Sequence, residues 1–466
     1  MAWDNAVVLV RYITAACSTL IRFRVKSNPV TKILSLFLSL IVSTTVLADS
    51  RLKDLLIGTD STPALSGLQV SVMKNGEMFE SHALGFAQIE GSVSEALRID
   101  HKLRVASISK IVVAIGVMQL VDKNLLKLDR DISDYLGWIL RNPKFPQQEI
   151  TARQLLSHTS SVRDGPRYFI EAGEGALKDF FNPESDYWDA GAHFTNGSGE
   201  EPGQYFVYSN LNFGVLGEVI ERISGRRFDL YMEEEVLVPM GLTARFNPCA
   251  VPVSQLAAAF RKRPIDGNWA PDGPWVAQVD AGSPRCFYGM QSKGQARQFL
   301  DSYEMASNAS LFSPQGGLRA SANELLVLLK MLANGGTINQ TRILSASSVE
   351  AMLEPQWTLN EDSSNGLSAG EAEPGGPYDG LMTSYGLSVH RIDFREYGFD
   401  RGPNILFGHL GEAYGILSHA LFDPETGDGI ATIITGTSDD PSIAPGHSPL
   451  YRVEEEILRW WLNKLY

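Results

Sequence analysis

Ser107 and Lys110 are the two side chains of this sequence best placed for covalent chemistry. They stand three residues apart at the head of a long apolar run, which puts them on one face of a helical turn. A serine hydroxyl attacks a carbonyl carbon only when something removes its proton. A lysine amine can do so only when neutral, and burial among apolar neighbours favours that form. The residues that follow are Ile111, Val112, Val113 and Ala114. Taken alone, Ser-x-x-Lys is a common spacing, and it also describes a serine helix cap beside a lysine that snorkels to water. Two other clusters matter only in company. Tyr208-Ser209-Asn210 supplies a phenol that can relay a proton and an amide that can orient a substrate carbonyl. Gly408-His409-Leu410-Gly411 supplies backbone that a ligand can approach closely and a donor for a carboxylate or carbonyl. No Cys/His spacing resembles a metal site, and the eight histidines are scattered.

These residues need elements to hold them. Residues 65–94 predict a hairpin: Leu68, Val70 and Val72 alternate, and Asn75-Gly76 makes the turn. Ile108 to Val121 is apolar on nearly every side and too long for a strand, so it predicts a buried helix headed by the Ser/Lys pair. A short helix is expected at Ala152 to His158, and another within Phe206 to Ile223. The latter sits in a region, 165–305, rich in Gly, Pro, Trp and Asn. Ser321 to Asn334 is amphipathic, with a serine start and a Gly335-Gly336 stop. Residues 359–380 read as an exposed loop. Strands are expected at Tyr385–Arg391, Ile416–Phe422 and Gly429–Thr435, then a closing helix at Arg452–Leu465. That order predicts an α/β fold: an antiparallel-sheet sandwich with flanking helices plus an inserted, mostly α-helical lobe. The sheet domain takes residues 49–164 and 306–466, and the lobe takes 165–305.

Together the three clusters carry a resemblance. RVASISK at 104–110, YSN at 208–210 and GHLG at 408–411 occur in this order, among phrases such as LKLDRDISDYL at 126–136, ITARQLLSHTS at 150–160 and GGLRASANELLVLLKMLANGG at 316–336. The chain resembles the serine beta-lactamase and penicillin-binding superfamily over roughly residues 60–465, on the branch of class C beta-lactamases, D-alanyl-D-alanine carboxypeptidases and related esterases. The resemblance implies a beta-lactamase/transpeptidase-like fold and a serine hydrolase that works through an acyl-enzyme. It makes Ser107 the nucleophile, with Lys110 and Tyr208 handling the proton. Asn210, His409 and Gly411 then bind the substrate, and the backbone N–H groups of Ser107 and Glu412 form the oxyanion hole. It implies no cofactor and no metal. The substrate would be a small molecule or a peptide, peptidoglycan-derived peptides included, cleaved as by a carboxypeptidase or D-aminopeptidase. A carboxylesterase, a class C-like beta-lactamase and a catalytically silent cell-envelope binding protein are the alternatives. Three features depart from the family pattern: the acidic Glu412 beside the third cluster, Ser161 where a glycine usually follows His-Thr-Ser, and the unmatched stretch 262–289.

Composition narrows the partners. A net charge of -14 argues against general affinity for nucleic acid or an anionic membrane. Arg261-Lys262-Arg263, the one tight basic cluster of the body, reads as a solvated turn. Residues 33–48 form an apolar run behind Arg22, Arg24, Lys26 and Lys32, so residues 1–48 are expected to be a signal peptide or extended leader cleaved after Ala48. The run is short for a stable transmembrane anchor, which needs about 20 residues. The mature protein is therefore expected in the periplasm or otherwise exported. In an oxidising compartment Cys249 and Cys286 could form a disulfide or remain two buried thiols.

Overall fold

The computed structural model describes residues 49–91, 93–282, 286–287, 290, 293–369, 377–442 and 446–466. The expected leader, residues 1–48, lies outside the described residues. Nine strands make one antiparallel sheet: β1 (Leu65–Lys74), β2 (Glu77–Glu90), β3 (Val93–Ala96), β4 (Trp357–Thr358), β5 (Ser384–Tyr385), β6 (His390–Asp393), β7 (Ile405–Ala413), β8 (Ile416–Phe422) and β9 (Gly429–Thr437). Their spatial order is β4-β5-β6-β7-β8-β9-β1-β2-β3, so the two ends of the chain meet where β1 pairs with β9, Val70 opposite Thr432. The helices used below are α1 (Ser50–Ile57), α2 (Ser109–Asp122), α3 (Leu211–Ser224), α4 (Ala322–Ala333) and α5 (Arg452–Leu465).

Strand periodicity sorts the two faces of the sheet. Leu68, Val70, Leu417, Leu421, Ile430 and Ile434 point to one side and bury Leu52, Leu55 and Trp461 of α1 and α5. Met73, Ala420, Phe422, Ala431 and Ile433 point to the other and pack with Leu325 and Leu329 of α4 in a second, larger core. The helix α2 lies wholly inside that core, apolar all round and with every residue from Ser109 to Leu120 buried. Helix α3 of the 165–305 region shares the same core through Val215, Leu216 and Val219. Its surroundings are mostly irregular, with a small pair of strands at Ala259–Arg261 and Val276–Val279. This is the α/β architecture, with a large antiparallel sheet flanked by helices, that the pattern of elements predicts.

Three local expectations need correction. The expected strand Tyr385–Arg391 is two short strands, because Ser388 adopts φ 60° and turns the chain between them. Gly408–Gly411, outside the expected strands, is part of β7. Arg261-Lys262-Arg263 is not a solvated turn: Arg261 ends a strand and is half-buried, Lys262 donates to Pro271 O at 2.7 Å, and Arg263 lies over the Trp269 ring. Cys249 and Cys286 stand bonded, with Cα atoms 5.1 Å apart. Among the described residues no helix is long and apolar enough to cross a membrane.

Candidate active site

The start of α2 is pinned before the helix begins. Val105 N donates to Leu318 O at 3.0 Å, and Ser109 Oγ donates to Ala106 O at 2.7 Å. Ala106 takes a left-handed φ of 46°, unfavourable by about 1 kcal/mol or more for a residue with a Cβ. That strained residue delivers Ser107 to the wall of a cleft of about 370 Å³, half-buried and open to it. One turn on, Lys110 is fully buried. Its Nζ donates to Ser107 Oγ at 2.8 Å, to Asn210 Oδ1 at 2.8 Å and to Gln315 O at 3.0 Å. The faces of Tyr208 and Phe213 lie 4.8 and 5.5 Å from the amine.

The second cluster is held by a residue outside it. Asp164 accepts from Ser209 Oγ, Asn210 Nδ2 and Leu211 N, and so supplies an acidic acceptor to the N-terminus of α3. Because Asn210 Nδ2 faces a carboxylate, its Oδ1 must face Lys110. Tyr208 stacks on His158, ring centroids 4.3 Å apart, and His158 Nδ1 accepts from Ser209 N. Burial and the nearby Lys110 hold His158 well below the usual imidazole range.

The third cluster is an open strand edge. β6 pairs with β7 only as far as Gly408, whereas β8 follows β7 to the pair Ala413–Ile416. Among the described residues, then, no strand follows β7 from His409 to Ala413 on the side away from β8. Tyr414 and Gly415 have φ of 55° and 91°, the signature of a two-residue primed turn. The residues flanking such a turn exchange both hydrogen bonds, and the backbone then alternates. Gly411 therefore points its N–H and C=O at β8, while Glu412 points its own at the open edge. A Cβ on Gly411 would lie 2.7 Å from Val105 O and 3.0 Å from Ser107 N, so only glycine lets this strand rest against the turn that carries Ser107. Ser107 and Glu412, each with its backbone N–H, thereby meet at the cleft.

A sequence model of the Beta-lactamase family matches residues 53–447. The chain belongs to the Beta-lactamase family. Protein flp of Staphylococcus aureus is 24% identical over 179 residues, 38% of this chain and 34% of that protein, so the match spans about a third of this curated relative's length. Two solved structures are similar over nearly the whole chain. EstCE1, a hydrolase with promiscuous acyltransferase activity, has a TM-score of 0.59 at 17% identity, covering 88% of this chain and 97% of that one. The D-amino acid amidase of Ochrobactrum anthropi has a TM-score of 0.55 at 19% identity, covering 85% and 92%. At those identities the likeness is one of fold.

Within this family member, Ser107, Tyr208, His409, Gly411 and Glu412 line one cleft, and Lys110 and Asn210 lie just behind it. Two of them differ in detail from their expected use. His409 Nδ1 faces Leu410 O, which only accepts, so this nitrogen carries the proton and Nε2 accepts from Tyr385 Oη at 3.1 Å. Burial beside His390 and Lys110 holds the ring well below the usual range, so His409 is a neutral acceptor at Nε2. Glu412 shares the face of β7 with Leu410, on the α5 side, and both its oxygens accept from Tyr451 Oη, at 3.2 and 3.1 Å. Its carboxylate sits at the rim of the cleft and not over Ser107. Sequence reasoning missed Asp164, His158, Tyr385, Gln315, His390 and Arg261. The last two line the cleft; His390 is buried with neither ring nitrogen partnered among the described residues, and burial pushes it down to about 3. Of these only Arg261, in its basic cluster, stood out in the sequence. Among the described residues no group of three His, Cys, Asp or Glu side chains could hold a metal ion.

Proposed function

We propose that this protein is a serine hydrolase that cleaves peptide-like amides or esters through an acyl-enzyme on Ser107, with carboxypeptidase- or D-aminopeptidase-like use of the site. The observation that carries the reading is the buried Lys110 amine 2.8 Å from Ser107 Oγ. Asn210 Oδ1 and Gln315 O are pure acceptors and take two N–H groups. A neutral amine then turns its lone pair to the Ser107 hydroxyl, the arrangement a general base needs. As Ser107 Oγ bonds the acyl carbon its proton passes to Lys110, and the carbonyl oxygen gains charge between the N–H groups of Ser107 and Glu412. The proton returns to the leaving atom through Tyr208, and water then releases the acyl group by the reverse order of steps. The family membership supports a serine-hydrolase character, and the amidase and the hydrolase of similar fold support an amide or ester substrate. An esterase is the second reading, favoured by the similar fold of EstCE1. The disulfide supports export to an oxidising compartment such as the periplasm.

Labelling tests the reading. A fluorophosphonate probe or a fluorescent penicillin should form a covalent adduct that intact-mass analysis places on Ser107, and Ser107→Ala should abolish it. Folded wild-type protein that reacts with neither probe would leave the silent binding protein as the better account.

A further inference from the structure

We propose that the acyl part of the substrate enters a second cavity, of about 500 Å³, whose wall suits a bulky aromatic acyl group. The inference rests on the serine-hydrolase reading above. A substrate whose carbonyl oxygen sits at the N–H groups of Ser107 and Glu412 can extend two ways along the open edge of β7. Tyr208, which returns the proton to the leaving atom, lines the first cleft, so the leaving group belongs there. The acyl chain must run the other way, toward Tyr414. Arg104, three residues before Ser107, and Tyr414, two after Glu412, both stand in the wall of the second cavity. Both segments that carry an oxyanion donor therefore border it.

Its chemistry is aromatic. Phe246, Phe287, Leu311 and Phe312 are buried in its wall, with the rings of Phe287 and Phe312 edge-to-face at 5.0 Å. Three of the four charged side chains in the wall have partners, and the fourth, Glu171, is exposed. Arg319 holds Asp280 through two bonds of 3.0 and 2.9 Å, and Arg104 lies 4.9 Å from the Tyr414 ring while donating to Ser313 Oγ at 3.0 Å. The buried surface left to an occupant is aromatic and aliphatic, while the exposed Glu171 and the half-buried Gln278 also line the cavity. One part of the wall is cross-linked, with Cys286 bonded to Cys249, and Asp280 follows the strand Val276–Val279. A preformed apolar cavity binds without a large ordering cost. Gln315 links it to the base. Its carbonyl accepts from Lys110, and its side chain donates to Ser313 Oγ, the same oxygen that Arg104 reaches.

The test compares p-nitrophenyl acetate, p-nitrophenyl 4-phenylbutyrate and 4-phenylbutyl acetate, which place the ring nowhere, on the acyl side or on the alcohol side. Wild type should favour the phenylbutyrate over the acetate in kcat/KM by at least about tenfold, a discrimination within reach of a buried apolar group. Ala277→Trp, which fills the cavity, should remove that preference while leaving p-nitrophenyl acetate and 4-phenylbutyl acetate within about twofold, since neither depends on the acyl-side contact. Ile265→Glu, at the exposed rim, should act in the same direction without burdening the core. A preference that survives both substitutions, or a loss confined to the alcohol-side ester, would overturn the assignment. If no ester is hydrolysed, covalent labelling of Ser107 decides the serine-hydrolase reading, and titration calorimetry with 4-phenylbutyramide decides the cavity itself. Binding that Ala277→Trp abolishes supports it; no binding, or binding the substitution leaves unchanged, refutes it.

Discussion

The Asp164 carboxylate accepts from Ser209 Oγ at 3.0 Å, Asn210 Nδ2 at 2.9 Å and Leu211 N at 2.8 Å. Through Asn210 it fixes which way an amide points, and through that amide it fixes the Lys110 amine. Asp164→Ala should therefore do two things at once. Loss of the acceptor at the start of α3 should lower stability by about 1–2 kcal/mol, measured by urea unfolding. Release of Asn210 should slow single-turnover acylation by about tenfold or more, because the amine is no longer held on the Ser107 hydroxyl. A variant that loses stability but acylates normally would show that Asp164 only caps the helix. Ser161 is explained at the same level. It adopts φ 66°, a left-handed conformation in which glycine is at ease, and its Oγ accepts from Asn142 Nδ2 at 3.2 Å, a bond glycine could not make.

At the level of elements, the site is a meeting of one helix start and one open strand edge. Gly411 sets how closely they meet. Gly411→Ala would put a Cβ 2.6 Å from Ser418 Oγ and 2.7 and 3.0 Å from the backbone atoms Val105 O and Ser107 N. The strand would have to move away from the Ser107 turn and carry the Glu412 N–H with it. Acylation should fall by about a hundredfold or more, the usual effect of losing one oxyanion donor, while thermal unfolding shows a retained fold; near-normal acylation would mean that the Glu412 N–H is not a donor. Much of this was legible beforehand. The long apolar run of α2, the Asn75-Gly76 turn, the Ser321 cap and the order of the three clusters all follow from local chemistry in the sequence. The strand character of Gly408–Gly411 was not, since two glycines and a histidine have little strand propensity and are held there by pairing with β8. Nor were Asp164, Gln315 and His390, whose importance comes only from long-range contacts.

At the level of the whole molecule, buried carboxyls set a pH dependence of stability. Burial pushes Glu218 of α3 up to about 8, and burial with the Glu412 carboxylate nearby pushes Glu454 of α5 up to about 8. Each has an oxygen with no partner among the described residues, Glu218 Oε2 and Glu454 Oε1. A carboxyl raised above its unfolded value of 4.5 holds its proton more tightly in the native state. The stability it lends is complete below that value and is lost as pH rises toward 8, by a few kcal/mol at most for each group. Urea midpoints should accordingly fall between pH 5 and about 8.5, and Glu218→Gln should flatten the decline; a midpoint that rises over this range would contradict the burial of these groups as neutral acids. Acylation rates must therefore be normalised to folded protein. With that done, single-turnover acylation against pH for wild type and Lys110→Arg is the most direct measurement of the mechanism. Guanidinium stays protonated and cannot accept the Ser107 proton. Lys110→Arg is expected to fold but to acylate at least about a hundredfold more slowly and to lose the wild-type pH profile. Near-wild-type acylation by Lys110→Arg, with an unchanged profile, would contradict it.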